Sequence, residues 1–132
     1  MDNPAFKFKT ILIVDDDPVQ VKLMEGTLKA KGFEVTTTTD ASDGLQKAMS
    51  VPPDLIILDV MMPIINGFNF CKLLKSDAKY KNIAIILATS RDETDDIKIG
   101  LEMGADAYLT KPINLEELLK TIKVVESSGR SS

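Results

Sequence analysis

The chain has 132 residues, 44% hydrophobic and 27% charged, a balance that suits one globular domain and argues against a largely disordered chain. With 16 basic and 20 acidic residues, a net charge of −4 and a pI near 4.8, it lacks the basic stripe that direct nucleic-acid binding needs. The absence of histidine removes Ser-His-Asp, Cys-His, histidine-metal and phosphohistidine chemistry, and the single cysteine, Cys71, removes an internal disulfide framework and multi-cysteine zinc sites, as suits a reducing compartment.

Short apolar runs alternate with helical patterns along the chain. The first run is Ile11-Leu12-Ile13-Val14, a strand led in by Lys9 and Thr10. Pro18 to Lys31 predicts a helix: Pro18 suits its first turn, Val21, Met24 and Leu28 recur at helical spacing, and Gly32 suits its stop. Phe33 to Thr38 alternates and is threonine-rich, a strand with one polar face. Asp40 to Met49 reads as a short helix, and Pro52-Pro53 break the chain. Leu55-Ile56-Ile57-Leu58 is continuously apolar, as a strand buried on both faces should be. Gly67 to Ser76 is helical, and Ile83 to Ala88 is another buried strand. Asp92 to Met103 reads as a more polar helix stopped by Gly104, Ala105 to Thr110 as the fifth strand, and Asn114 to Glu126 as the fifth helix. Asn114 with Glu117 forms its capping signature, and Leu115, Leu118, Leu119 and Ile122 form its apolar stripe. Residues 1–126 therefore read as one domain and 127–132 as a flexible polar tail or linker stub. No stretch reaches the roughly 20 apolar residues of a membrane span, and the start lacks a signal-peptide h-region, so a soluble cytoplasmic protein is expected.

Five β-α units imply an α/β fold, a doubly wound five-stranded parallel sheet with five helices on its two faces. The flavodoxin-like strand order 2-1-3-4-5 suits five units, and in such sheets ligands bind beyond the carboxyl ends of the strands. After the first strand come Asp15-Asp16-Asp17, after the third Asp59, at the end of the fourth Thr89 and Ser90, and after the fifth Lys111 and Pro112. These strands are neighbours in that order, so the groups converge on one patch. Asp15, Asp16 and Asp59 would repel one another in a partly buried site, and a hard divalent cation, Mg2+, resolves this with oxygen ligands and spare waters. A metal with open positions, the Lys111 ammonium and the Thr89 hydroxyl cradle a phosphoryl group, whose transfer needs in-line positioning and charge neutralisation. Asp59 is the candidate nucleophile.

The stretches ILIVDDDP (Ile11 to Pro18), DLIILDVMMPIING (Asp54 to Gly67), ILATS (Ile86 to Ser90) and AYLTKP (Ala107 to Pro112) resemble, in this order, the receiver domain of two-component response regulators. The resemblance covers residues 8 to 126. It implies that Asp59 is the phosphoacceptor, that Asp16 ligates Mg2+ directly and Asp15 through water, and that the Met61 main-chain carbonyl completes the metal's protein ligands. It implies that Thr89 hydrogen-bonds the phosphoryl group, that Lys111 pairs with it, and that Tyr108 is the switch aromatic. It implies a cis Lys111-Pro112 bond, and that Met61 and Arg91 tune the lifetime of the phosphoaspartate. Asp17 stands where the family often has Glu or another residue.

The resemblance further implies a sensor histidine kinase or phosphotransfer protein as donor, docking near Val19, Gln20, Lys22 and Leu23. The face of the fourth helix, fifth strand and fifth helix would then signal to a downstream protein, an output domain or a second copy in a phosphorylation-dependent homodimer. The chain would catalyse only its own phosphorylation and dephosphorylation, with no nucleic acid or membrane as direct partner. Two other readings compete. A phosphatase that works through an aspartyl phosphate needs a second Asp two positions after the nucleophile, where Met61 stands. A non-phosphorylated interaction module would have no need of all five site residues. Cys71 reads as a small buried helix residue, and the Asp92, Glu93, Asp95 and Asp96 cluster as a solvated helix start favoured by the dipole.

Overall fold

The computed structural model describes residues 6–60, 67–89 and 104–127. Five parallel strands, β1 (Thr10–Val14), β2 (Glu34–Thr38), β3 (Leu55–Asp59), β4 (Ala84–Thr89) and β5 (Ala107–Thr110), form one sheet in the order β2-β1-β3-β4-β5. Four helices occur among the described residues: α1 (Pro18–Ala30), α2 (Ala41–Ser50), α3 (Gly67–Lys75) and α4 (Leu115–Glu126), the helix expected fifth. The helix expected over Asp92 to Met103 lies outside the described residues, as do Met61, Ser90 and Arg91 and all of the expected tail except Ser127.

Strand alternation sends successive side chains to opposite faces. Ile11, Ile13, Leu55, Ile57, Ala84, Ile86 and Ala88 meet Val21, Met24 and Leu28 of α1 and Leu118, Ile122 and Val125 of α4. Leu12, Val14, Ile56, Leu58, Ile85 and Leu87 meet Ala41 and Ala48 of α2 and Phe70, Cys71 and Leu74 of α3. Every residue of β3 and β4 is buried, which explains why these strands are unbroken apolar runs up to their polar ends. Each Leu or Ile so buried contributes about 1.5–3 kcal/mol. The edge strand β2 shows the expected alternation, with the polar Glu34 and Thr36 exposed and Val35 and Thr37 half-buried. None of its residues is fully buried, because at the edge Val35 is only partly covered by the α1–α4 core. Close packing also reaches the sheet's α2 face, where a Cβ on Gly44 would sit 2.8 Å from Val14 Cγ2.

The strand–helix junctions explain the element ends. Asp17 caps α1, Asp40 caps α2 and Asn114 caps α4, each with a side-chain oxygen accepting main-chain N–H groups of the first turn. Gly32 ends the first helical segment with φ 98°, a left-handed conformation that glycine adopts without strain. β5 begins two residues later than expected. The Asp106 carboxylate accepts the Ile85 N–H (2.8 Å) and pairs with Lys75 Nζ (3.1 Å), so a side chain takes the place of a ladder carbonyl there. No helix among the described residues is long and apolar enough to cross a membrane.

Candidate functional site

The register of the sheet brings the polar ends of its strands to one level. Val14 pairs with Leu58 and Asp59 with Ala88, so Asp15 and Asp59 emerge side by side, and Thr89 pairs with Thr110, one residue before Lys111. The Lys111 N–H donates to Thr89 O at 2.7 Å, continuing that ladder by one rung. Asp15, Asp59 and Thr89 are almost fully buried, at 1%, 4% and 1% exposure, while Asp16 is exposed.

Carboxylate oxygens of Asp15, Asp16 and Asp59 lie within 4.8 Å of one another, a grouping able to hold a metal ion. Lys111 Nζ lies 3.2 Å from Asp15 Oδ2 and 3.2 Å from Asp59 Oδ2. At the effective dielectric of partly buried sites, each carboxylate pair at this spacing repels by about 3 kcal/mol, and each ammonium–carboxylate contact returns about 5 kcal/mol. Three carboxylates against one ammonium still leave two negative charges, which suits a divalent cation. Burial alone would lower the Lys111 pKa. The charges of Asp15 and Asp59, and their hydrogen bonds, outweigh it and hold the ammonium above its ordinary value.

Two further observations fit a bound cation and an oxyanion. Asp15 Oδ2 is buried with no hydrogen-bond partner among the described residues, although the Lys111 ammonium is 3.2 Å away. Thr89 Oγ1 is likewise buried and without a hydrogen-bond partner among them. Such atoms are costly to leave bare in a core and suit ligands for something else. The donor set, all oxygen, is the type hard cations prefer.

The chain matches the response regulator receiver domain family over residues 11–123. It belongs to that family. This receiver domain is 39% identical over 117 residues to the alkaline phosphatase synthesis transcriptional regulatory protein PhoP of Bacillus subtilis, covering 89% of this chain and 48% of PhoP. It is 38% identical over 115 residues to Protein PilH of Pseudomonas aeruginosa, covering 87% of this chain and 95% of PilH. Among solved structures, the chemotaxis response regulator CheY4 of Vibrio cholerae superposes with a TM-score of 0.83 at 35% identity, covering 90% of this chain and 99% of that one. The chain thus spans about half the length of relatives such as PhoP and MtrA, and almost the whole of PilH.

The receiver's sequence-expected site residues fall into three groups. Asp15, Asp16, Asp59 and Lys111 are brought together, and Thr89 lies at the adjoining strand end. Tyr108, on β5, is exposed at 41%, facing away from the core. Met61 and Arg91 lie outside the described residues. The Lys111-Pro112 peptide is cis. Asp17, whose role the sequence left open, is the α1 N-cap, and its own N–H donates to Asp15 Oδ1 at 2.9 Å. An Asp directly before a proline at helix position one is the local signal for such a cap. A cavity of about 560 Å3 lies elsewhere, bordered by Thr10, Glu34, Asp43, Lys47, Val51 and Pro52, and none of the converging residues lines it.

Proposed function

We propose that this receiver domain accepts a phosphoryl group on Asp59 from the phosphohistidine of a partner kinase or phosphotransfer protein. One observation carries the reading: Lys111 Nζ stands 3.2 Å from both Asp15 and Asp59, inside a cluster of three carboxylates with two negative charges in excess. A carboxylate oxygen of Asp59 attacks phosphorus. The new O–P bond forms as the donor's N–P bond breaks, and the imidazole leaves with that electron pair and takes up a proton from water. Asp16 and Asp59 would hold Mg2+ directly and Asp15 through water, and the resemblance implies the main-chain carbonyl of Met61 as the remaining protein ligand. The ion, when bound, neutralises charge on the phosphoryl oxygens. Lys111 neutralises a further oxygen as a point charge. The Thr89 hydroxyl, lacking another partner among the described residues, donates to the phosphoryl group.

The domain catalyses only its own phosphorylation and the hydrolysis that reverses it, with Met61 and Arg91 adjusting the second. Recognition of the donor fits the exposed apolar side chains at the start of α1, Val19 at 68% and Leu23 at 55% exposure. Output fits the face carrying Tyr108 and the exposed Val124, where inward rotation of Tyr108 would follow movement of Thr89. That face would meet a downstream protein, an output domain or a second phosphorylated copy. The cytoplasm, where such kinases present their phosphohistidine, is the proposed location.

The test is incubation with a small acyl-phosphate donor, followed by intact-protein mass spectrometry. One phosphoryl adduct is expected, requiring Mg2+ and absent from Asp59→Asn. A Mg2+-dependent adduct of equal yield in Asp59→Asn would refute the assignment.

A further inference from the structure

We propose that Asp17 is a positioning residue for the divalent-cation site, acting through the cap it forms rather than as a ligand; this rests on the metal-dependent reading of Asp59. The buried Asp15 carboxylate sits on a short side chain whose final torsion is intrinsically broad, so something must fix its plane. That something is the Asp17 N–H, which donates to Asp15 Oδ1 at 2.9 Å. Lys111 Nζ touches the same oxygen at 3.4 Å. Oδ2, an ion-pair partner of Lys111 Nζ at 3.2 Å, is buried and without a hydrogen-bond partner among the described residues, and Asp15 converges with Asp16 and Asp59 within metal-binding reach.

The Asp17 N–H is held in turn by the Asp17 side chain. Its Oδ1 accepts from Val19 N at 3.0 Å and Gln20 N at 3.4 Å, and its carbonyl accepts from Val21 N at 3.0 Å. The residue is therefore tied to the first turn of α1 on one side and to Asp15 on the other. Asp17 is exposed and not among the three carboxylates that converge, so its contribution is geometric. Groups that orient a metal-binding carboxylate without touching the ion typically change affinity by tenfold or more.

The experiment is calorimetric titration of the full chain with Mg2+ in the absence of phosphoryl donor, with thermal melts in parallel. Asp17→Ala is expected to weaken Mg2+ binding roughly tenfold. Asp17→Asn, neutral but able to cap, is expected to stay within about twofold of the native protein. Asp54→Ala removes a carboxylate that accepts the Lys9 and Thr10 N–H groups at the opposite end of the strands, and should lower the melting temperature while leaving Mg2+ affinity unchanged. Native affinity in Asp17→Ala would overturn the proposal, because the cap would then serve α1 alone. An Asp17→Asn variant as weak as Asp17→Ala would overturn it too, since charge and not capping would be at work. Absence of Mg2+ binding by the native chain would instead sink the reading beneath it.

Discussion

Lys111 concentrates the electrostatics of the site in one side chain. Its pKa is raised in the folded protein, since Asp15 and Asp59 overcome the cost of burial. A raised folded-state pKa means that the ion pairs contribute fully below the ordinary value of 10.5 and are lost as pH rises through the raised one. Stability from this residue is thus constant across the neutral range and falls only in alkali. Lys111→Met should cost about 2 kcal/mol in Mg2+-free buffer at neutral pH, less than a fully buried pair because the side chain is 26% exposed. Urea unfolding measures this, and the gap to the native protein should close at strongly alkaline pH. Cys71 behaves in the same direction for a different reason. Burial pushes its thiol from 9.0 up to about 11. The neutral form is therefore favoured by folding, and about 2–3 kcal/mol of stability is lost as pH rises through that interval. Cys71→Ala should flatten that part of the stability–pH curve, and the native thiol should resist thiol reagents at neutral pH until the chain unfolds.

Among the elements, α4 is anchored in a way that no local pattern announces. Glu126, 8% exposed, accepts the N–H groups of Lys7 and Phe8 at 2.8 and 2.7 Å through one oxygen. Phe6 packs 4.9 Å from Phe33, with Lys123 Nζ 5.3 Å above its ring, so the start of the chain straps the end of α4 to the α1 side of the core. Glu126→Ala should cost about 1–3 kcal/mol and strip hydrogen-exchange protection from Lys7 and Phe8 before the rest of the molecule, with Glu126→Gln intermediate. Contacts of this kind were not legible in the sequence, because partners more than a hundred residues apart leave no periodic signal. Asp54, which holds Lys9 N at 2.7 Å from 45 residues away, and Asp106, which holds Ile85 N from 21 residues away, leave no periodic signal either. β1, β3 and β4 were legible because a strand covered on both faces must be apolar throughout. Asp15, Asp59, Thr89 and Lys111 were legible because the strand order converts four distant positions into neighbours at the carboxyl ends of the strands. The late start of β5 was not, since it depends on where the Asp106 side chain goes.

For the whole molecule, the acidic surplus and the missing histidine acquire a place. Part of the surplus is gathered where Asp15, Asp16 and Asp59 meet, so cation binding and folding should be linked. At a hundredfold excess over its Kd, Mg2+ should stabilise the chain by about 2.7 kcal/mol, a rise of roughly 10 °C in Tm. Asp15→Asn and Asp59→Asn should lose most of that increment while melting no lower than the native chain in metal-free buffer, since each removes a repulsive charge. The absent histidine is the one the donor would bring. The most direct measurement is to phosphorylate the chain with an acyl-phosphate donor and Mg2+, reduce the adduct with borohydride, and locate the product by tandem mass spectrometry. Homoserine is expected at position 59, where an aspartyl phosphate has been reduced; a reduced or phosphorylated residue anywhere else, with Asp59 intact, would contradict phosphorylation of Asp59.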